Sequence, residues 1–527
     1  MTFRRPRTLA LAGLTTALAV STALAAPGGT SRGPNTTTDP YVLPVGDGVS
    51  TKSLLTVKEG SDPGRASNGY EMVGIPDGLG ALQQDGSRDF TLLMNHELRA
   101  TQGVPRRHGP KGAFVSEYDI DSDTFAVEQG RDLIDAGVRY WDYPTQTYRT
   151  TPSSGGTNPR DATDTFLAQS AEFARFCSSS LTEPGQLFNP RTKRGFSGQL
   201  YFANEESGDE GREFGVTTGG QAQQLPRLGQ FQWENTLAAQ TRSDTTLTLG
   251  MDDAAEGQVW AYVGRKQRTG NPFDRAGLTN GRNYVLDLSD ETTSTDAQFR
   301  AKYGKHNPQR FTLGPQEEVN WDRSGKRQNE AAKAKGLTLN RIEDGNFDPR
   351  YPNDYYFVTT EGAPGTVPSE PTVTRDGGGL WRLRFRDVSR PELGGRIELL
   401  LDGTEAPFLN KPDNITIDRK GNLLIQEDPG NNAQLARIVA YDTDTGDRGV
   451  LAEFDRNRFR TSGTRFLTQD EESSGIIDAR KLLGNGWFLF DAQVHLTHPD
   501  ADKVEYGQLL AMHVRRFRDV YTIDGDQ

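Results

Sequence analysis

The chain of 527 residues contains a single cysteine, Cys177, and only five methionines. One cysteine excludes an intrachain disulfide, and it excludes zinc sites built from paired CxxC motifs. P-loop, dinucleotide-binding and nucleophile-elbow motifs are absent as well. Beyond the first 25 residues no apolar run is long enough for a membrane helix, and the mean hydropathy is −0.69. We therefore expect a protein without a membrane span after residue 25, and its function is not that of a P-loop, dinucleotide-binding or nucleophile-elbow enzyme.

Positive charge is also scarce. The 60 Lys and Arg residues stand against 72 Asp and Glu residues, which gives a formal net charge of −12. An acidic surface repels nucleic acid and anionic lipid, so neither is expected as a partner. An excess of carboxylates suits hard cations such as calcium. We expect a monomer whose ligands are metal ions and a small molecule.

The first 25 residues have the pattern of a signal peptide. Three arginines precede an apolar run from Leu9 to Leu24, and Ala23 to Ala25 forms a small-residue cleavage site. The arginine pair partly fits a twin-arginine signal, so the general secretory and the twin-arginine routes both remain open. The pattern predicts a secreted or otherwise extracytoplasmic protein.

The remainder is predicted to be one flexible segment followed by one domain. Residues 26–50 are rich in proline, glycine and threonine, which predicts a flexible N-terminal segment. Residues 51–527 contain no long linker and are predicted to form a single domain.

Short apolar strands recur along this domain, and most of them end in an acidic, amide or histidine residue. Tyr, Phe, Trp, Val and Ile are frequent in them, as strands prefer. We pair them in six successive units: 90–97 with 113–121, 200–207 with 229–235, 246–253 with 257–264 and 283–288, 354–362 with 378–385, 421–432 with 436–447, and 486–496 with 507–514.

Six antiparallel units in series predict an all-β fold, a β-propeller of about six blades with long inserted loops. A few short helices are expected in these insertions. Residues 328–337 have the clearest helical pattern, and residues 164–177 are the second candidate, with Asp164 as its N-cap.

Corresponding strand ends of a propeller converge around one axis, so their polar tips should converge too. So many carboxylates at one mouth would repel each other unless cations bind there. The register of the predicted blades gives a converging set of Glu97, Glu206, Asp253, Glu361, Glu427 and His495.

The stretch Leu200 to Glu210 shows the pattern most clearly, because a strand ends there in two adjacent carboxylates, Glu205 and Glu206. Adjacent strand residues face opposite ways, so one of the two is expected to face the mouth and the other to be structural. A solvated loop is the alternative. We take Glu206 as the candidate ligand.

Several segments, in their order along the chain, resemble the PhoX-type alkaline phosphatases. They are "MNHEL" (94–98), "LGMDDAAEGQVWAYV" (249–263), "NRIEDGNFDP" (340–349), "KPDNITIDRKGNLLIQED" (411–428) and "FDAQVHLTHPD" (490–500). That family consists of exported propeller enzymes that hydrolyse phosphate monoesters at a cluster of calcium and iron ions. The chain departs from the family pattern at Asn204, where a second cysteine is usual, and it lacks the glycine-rich stretch beside Cys177.

The resemblance implies a role for particular residues. Cys177 corresponds to a thiolate that binds iron, and Glu206 and Glu343 correspond to metal-binding carboxylates. Arg341 corresponds to the arginine that holds phosphate. A further metal-binding glutamate of the family aligns near Gly257, one position from Glu256, so Glu256 is the corresponding candidate. Calcium and iron are the implied cofactors, and a small phosphate ester is the implied substrate.

The residues themselves leave other interpretations open. Cys177 also suits a small buried position in the core, and Arg341 with Glu343 also suits a structural salt bridge. The same scaffold fits a calcium-dependent phytase or phosphodiesterase, a lactonase with one calcium ion, or a calcium-stabilised propeller that binds a polymer or protein without catalysis.

Overall fold

The computed structural model describes residues 29–367 and 370–525, so the predicted signal peptide lies outside the described residues. Within the described ranges the strands form six blades around a central axis. None of the helices in these ranges is long and apolar enough to span a membrane.

The N-terminal strands close the ring of blades. The second strand joins the edge of blade 5, and the third pairs antiparallel with the last strand of the chain in blade 6. The expected flexible segment 26–50 therefore contributes strands from Thr30 onward, because the backbone groups at the two blade edges bind it. These strands are β1 (Thr30–Arg32), β2 (Val42–Pro44) and β3 (Val49–Thr56).

Blades 1 and 2 come next along the chain. Blade 1 is a four-stranded meander of β4 (Pro76–Gln83), β5 (Phe90–His96), β6 (Phe114–Ile120) and β7 (Val127–Asp132). Two separate hairpins follow, β8 (Tyr140–Asp142) with β9 (Thr147–Arg149) and β10 (Gly156–Asn158) with β11 (Asp161–Phe166). Blade 2 then starts with β12 (Phe176–Leu181), carries the small hairpin β13 (Phe188–Asn189) and β14 (Arg194–Gly195), and continues through β15 (Leu200–Glu205), β16 (Glu213–Thr217) and β17 (Ala222–Gln224).

Blades 3 and 4 share a long insertion. Blade 3 begins with β18 (Trp233–Ala238), β19 (Thr245–Asp252), β20 (Val259–Arg265), helix α1 (Pro272–Ala276) and β21 (Arg282–Val285). The insertion holds β22 (Asp287–Leu288), helix α2 (Asp296–Tyr303), β23 (Gln309–Thr312), β24 (Glu318–Val319) and helix α3 (Gly325–Lys335). β24 extends the outer edge of blade 3, whereas β22 and β23 extend blade 4. Blade 4 itself consists of β25 (Ile342–Phe347), β26 (Asp354–Thr359), the hairpin β27 (Gly365–Val367) and β28 (Glu370–Arg375), β29 (Gly379–Phe385) and β30 (Gly395–Leu401).

Blades 5 and 6 complete the ring. Blade 5 consists of β31 (Pro412–Ile417), β32 (Asn422–Glu427), β33 (Arg437–Asp442), β34 (Arg448–Phe454) and the edge strand β2, with helix α4 (Arg456–Phe459) after it. Blade 6 consists of β35 (Glu471–Asp478), helix α5 (Arg480–Leu483), β36 (Trp487–Thr497) and β37 (Glu505–Val514), followed by β3 and β1. Short 3-10 turns cover 208–210, 226–228, 391–393 and 517–519.

The first strand of each blade lines the axis. β4, β12, β18, β25, β31 and β35 contact one another in that order, and β35 contacts β4, so the ring is closed. The middle strands are buried on both faces because each blade packs against two neighbours. Leu249, Phe357 and Trp381, for example, belong to one apolar cluster between blades 3 and 4.

Two details of the predicted organisation are wrong. Residues 229–235 do not pair with 200–207; they lead into β18, the first strand of the next blade. Residues 164–177 are not a helix, because they lie at the end of β11, in a loop and at the start of β12. Asp164 is buried and accepts hydrogen bonds from Ser324 Oγ and Asn158 Nδ2 instead of capping its own segment. The helix predicted at 328–337 is present as α3.

Candidate metal centre

Every innermost strand carries a potential metal ligand as its second residue. The six side chains come from six different blades, and none of them is more than 9% exposed. We call this set the inner ring: Asp77, Cys177, Glu234, Glu343, Asp413 and Glu472.

A break in strand register accompanies each member of the inner ring. In blade 3, Trp233 pairs with Asp252, but the next pair is Thr236 with Gly250, so the inner strand holds one extra residue at Glu234. Blades 1, 2, 4 and 5 break their ladders at the same place, and blade 6 breaks its ladder three residues later. A bulge of this kind re-aims a side chain relative to the regular alternation of a strand. It explains how the inner strands of blades 1 to 5 can present ligands toward one axis.

A second set of side chains directly follows the second strand in blades 1 to 5 and lies near the end of the second strand in blade 6. The backbone N–H of each of these residues donates to the carbonyl oxygen two positions before the inner-ring residue of its blade, over 2.9–3.0 Å. The same local geometry therefore repeats six times. We call this set the outer ring: Glu97, Glu206, Asp253, Thr360, Asp428 and His495.

The predicted converging set agrees with the outer ring at four positions and is one residue off at two. Glu361 lies beside Thr360 and is exposed, and Glu427 lies beside Asp428 and faces away from the mouth. Glu427 is buried against Arg437, whose Nη2 lies 2.6 Å from Glu427 Oε1. A shift of one residue moves a strand side chain to the opposite face, so neither glutamate belongs to the centre.

Two groups of donors are close enough to share one ion each. Asp77, Glu97 and Cys177 offer ligand atoms that all lie within 4.8 Å of one another, and so do Glu234, Glu343 and Asp413. The first group combines a thiolate with carboxylates, which suits iron, and the second is purely carboxylate, which suits calcium.

The electrostatics of these groups fit bound cations. Burial, followed by repulsion from neighbouring carboxylates, raises the pKa of Asp77 and of Glu234 well above the usual range. The same two causes raise the pKa of the Cys177 thiol. One oxygen of Glu234, Oε1, is buried and has no hydrogen-bond partner within the described part of the chain. Cations in the two groups would neutralise these charges and satisfy such an oxygen.

Three cationic side chains stand two positions before the inner ring, in blades 2, 4 and 5. Arg175, Arg341 and Lys411 all adopt the left-handed backbone region, with φ of 51°, 55° and 47°. Residues other than glycine rarely adopt this region. Its recurrence two positions before the inner-ring residue therefore shows that these three blades share a local backbone geometry.

Arg175 and Arg341 form ion pairs with outer-ring carboxylates. Arg341 donates from Nε to Asp253 Oδ1 at 2.9 Å and from Nη2 to Asp253 Oδ2 at 3.0 Å, and Nη2 lies 3.4 Å from Glu343 Oε1. Arg175 donates from Nε to Glu97 Oε1 at 2.7 Å and also forms an ion pair with Glu206. Each guanidinium is part-exposed, so it faces the mouth as well as the rings.

A cavity of about 490 Å³ opens above this part of the rings. Its lining includes Arg175, Glu206, Gln232, Arg99 and Thr101. Gln232 Nε2 donates to Glu206 Oε1 at 3.0 Å, which orients this carboxylate. The cavity gives a ligand access to the centre from solvent.

His495 supplies a further positive charge. Burial lowers its pKa, but hydrogen bonds to Glu472 and Glu505 outweigh burial and raise the pKa to about 11. Its Nδ1 lies 2.9 Å from Glu505 Oε2, and its Nε2 lies 3.4 Å from Glu472 Oε2.

Four of the five predicted site residues lie at this centre. Cys177 and Glu343 belong to the inner ring, Glu206 belongs to the outer ring, and Arg341 lies between the rings and solvent. Glu256 is not brought to them: its side chain is 67% exposed and lies 3.5 Å from Lys333.

Glu205 faces away from Glu206, as the alternation of a strand requires. It is buried against Arg212, whose Nη2 donates to Glu205 Oε1 at 2.7 Å. This buried pair joins β15 to the segment before β16 and takes no part in the rings.

Sequence reasoning missed four members of the inner ring, namely Asp77, Glu234, Asp413 and Glu472. Each is an acid near the start of a strand and is followed by a small or polar residue: Gly78, Asn235, Asn414 and Ser473. This recurring dipeptide is the signal that could have located them.

Comparisons with known proteins agree with this architecture. Residues 216–476 match the family model described as alkaline phosphatase PhoX. Among solved structures, PhoX of Pseudomonas fluorescens in complex with vanadate, a transition state analogue, aligns with a TM-score of 0.59 and 13% identity, over 93% of this chain and 98% of that one. A luciferin-regenerating enzyme aligns with a TM-score of 0.31 and 8% identity, over 86% and 94% of the two chains. No curated protein sequence matches the chain significantly.

Proposed function

We propose that the protein is a metal-dependent phosphatase that hydrolyses phosphate monoesters at the two rings, because residues 216–476 match the family model described as alkaline phosphatase PhoX and the fold is similar to that of a PhoX structure. The observation that carries the proposal is the convergence of six inner-ring donors, five of them carboxylates, beside a solvent-open cavity that Arg175 lines, with Arg341 paired to the outer-ring carboxylate Asp253. The proposal includes export through the signal peptide at residues 1–25.

The two groups of ligand atoms would bind different cations. Asp77, Glu97 and Cys177 would hold iron, and Glu234, Glu343 and Asp413 would hold calcium. When bound, such cations neutralise the oxygens of a phosphate ester and acidify a water molecule.

The protein's own contribution is binding and orientation. Arg175 and Arg341 enter the mouth from blades 2 and 4, and a planar guanidinium can donate two parallel hydrogen bonds to phosphate oxygens. Outer-ring carboxylates fix both guanidinium groups before a substrate arrives, so little side-chain freedom is lost on binding. His495 remains protonated at neutral and alkaline pH and adds positive charge below the mouth.

The direct test is hydrolysis of a chromogenic phosphate monoester by purified mature protein, combined with elemental analysis. We expect turnover together with bound calcium and iron, and we expect a chelator to abolish the turnover. Glu343→Gln should lower both metal content and turnover, whereas the matched control Glu256→Gln should change neither.

Full turnover by protein stripped of metal would contradict the proposal. Turnover of a diester or a lactone alone, with a single calcium ion and no iron, would instead assign one of the other propeller hydrolases. Metal that raises the melting temperature without turnover of any ester would indicate a binding protein.

A further inference from the structure

A second cavity, of about 440 Å³, lies outside the two rings. It is bordered by the first separate hairpin, by the second one and by the loop before α3. Its volume falls within the roughly 300–1,000 Å³ that is typical of small-molecule sites. The residues used below are Trp141, Arg160, Arg227, Trp321 and Arg323.

The lining is basic although the chain is strongly acidic. Three arginines face a single acidic residue, Asp322, in a protein of net charge −12. Arg160 forms an ion pair with Asp322, and Arg323 forms one with Asp161. Two of the three arginines therefore already have a counter-charge.

Arg227 has none among the described residues. Its only hydrogen bond there is from Nη1 to the carbonyl oxygen of Gly281 at 3.1 Å. Burial lowers its pKa, and no carboxylate offsets this effect. A part-buried guanidinium without a counter-ion in a cavity calls for an anion from solution.

Aromatic rings lie beside this charge. The guanidinium carbon of Arg227 is 4.3 Å from the ring centroid of Trp321, and the Trp321 and Trp141 rings are 5.9 Å apart at 63°. Trp141 Nε1 is buried and has no hydrogen-bond partner among the residues that the structure describes. An inorganic anion would pair with the Arg227 guanidinium, but it would not pack against either indole ring.

We propose that this cavity binds a planar heteroaromatic ring that carries a phosphate, the chemistry of a nucleoside monophosphate. The ring packs on Trp321 and Trp141, and the phosphate accepts hydrogen bonds from Arg227. Stacking of a base on an aromatic side chain is tolerant of base identity, so we expect little discrimination among nucleobases.

The segment after the cavity-lining residues 320–323 contacts the segment that follows Glu206. The 3-10 turn at 208–210 directly follows Glu206, and it contacts α3, where the Lys326 N–H donates to Glu210 Oε1 at 3.2 Å. Trp321 is five residues from Lys326, and Glu210 is four residues from Glu206, so the extended length of chain limits the distance from Trp321 to Glu206 to about 40 Å. The site is separate from the rings, and the proposal does not depend on phosphatase activity.

The test is calorimetric titration of the metal-loaded mature protein with an adenosine monophosphate analogue in which a methylene group replaces the ester oxygen, so that it cannot be hydrolysed. We expect two binding events. Trp321→Ala should weaken one of them roughly 5- to 150-fold, the range of aromatic stacking on a base. Arg227→Gln should weaken the same event about tenfold, and Trp321→Phe should retain most of it.

Arg341→Gln is the matched control, because it should weaken only the event at the metal centre. Adenosine alone and inorganic phosphate alone should bind the second cavity more weakly than the analogue does. A single binding event, lost in Arg341→Gln and unchanged in both Arg227→Gln and Trp321→Ala, would overturn the proposal. Equal binding of inorganic phosphate and the analogue at this cavity would also overturn the proposal, because the indole rings of Trp141 and Trp321 would then contribute nothing to the affinity.

Discussion

Asp428→Asn should have opposite effects on the metal-free and the metal-loaded protein. Asp428 is an outer-ring residue whose pKa is raised from 3.8 to about 7, chiefly by burial and then by the nearby charge of Glu472. A carboxyl group with a raised pKa contributes its full stability below pH 4 and loses it as the pH rises through 7. Ionised Asp428 therefore destabilises the metal-free protein at pH 8, and asparagine has almost the same shape without the charge.

The magnitude follows from the shift in pKa. About three pKa units correspond to about 4 kcal/mol, since each unit is worth about 1.4 kcal/mol. Asp428 is part-exposed at the mouth, so solvent screening reduces this to about 2 kcal/mol. In the metal-free state the variant should be more stable than the parent by this amount at pH 8 and equal to it at pH 4.

The assay is urea unfolding at both pH values, before and after metal is restored. In metal-loaded protein the sign should reverse, because asparagine is neutral and holds a cation less tightly than a carboxylate does. The exposed turn residue Asp85 provides the control substitution Asp85→Asn, which should have no pH-dependent effect. Equal stabilities of variant and parent at pH 8 in metal-free protein would refute the electrostatic account of the rings.

Four further outcomes are expected. Glu206→Gln should lower metal content in elemental analysis, whereas Glu205→Gln should leave metal bound and destabilise the protein in urea unfolding by about 3–5 kcal/mol, because it leaves a buried arginine unpaired. Arg175→Gln should lower kcat/KM for a phosphate monoester about 10- to 150-fold with metal content unchanged, since a charged hydrogen bond is worth about 1.5–3 kcal/mol. Glu256→Gln should leave turnover and metal content as they are. Removal of residues 29–56 should prevent cooperative thermal unfolding, because β37 then loses its pairing with β3 and blade 5 loses its edge strand β2.

Much of the fold could be predicted from local pattern. Strand composition and spacing indicated six units, and five of the six proposed strand pairings are present, such as 90–97 with 113–121. The failed pairing, 200–207 with 229–235, joined the end of one blade to the start of the next. Sequence order alone does not show whether two successive strands belong to one blade or to neighbouring blades. The strand that ends blade 2, β17, has only three residues and therefore carries little periodic signal.

The ring closure could not be predicted at all. Segment 26–50 has the composition of a flexible loop, and its strands form because the edges of blades 5 and 6 present unpaired backbone groups. A tertiary partner of this kind overrides local propensity. The same holds for residues 164–177, where helical composition gives way to β11 and β12.

The outer ring was more predictable than the inner ring for a geometrical reason. Outer-ring residues such as Glu206 and Asp253 follow long apolar strands, so the end of the apolar run marks them. Inner-ring residues such as Glu234 and Asp413 lie at bulges, where the regular alternation of facing is interrupted. A pattern of period two cannot place a residue whose orientation depends on a break in that period.

The repeated geometry also shows which differences between blades matter. All six blades present an inner-ring ligand and the same backbone hydrogen bond, so these features are shared scaffold. Blade 2 alone replaces the acid by a thiol, Cys177, and places Arg175 two residues before it. Asn204, where the family has a second cysteine, donates from Nδ2 to the backbone oxygen of Ser178 at 2.8 Å and so acts as a structural link. Arg175 directly precedes β12, and Cys177 is the second residue of β12. We therefore expect the phosphate to bind at the blade 2 side of the mouth.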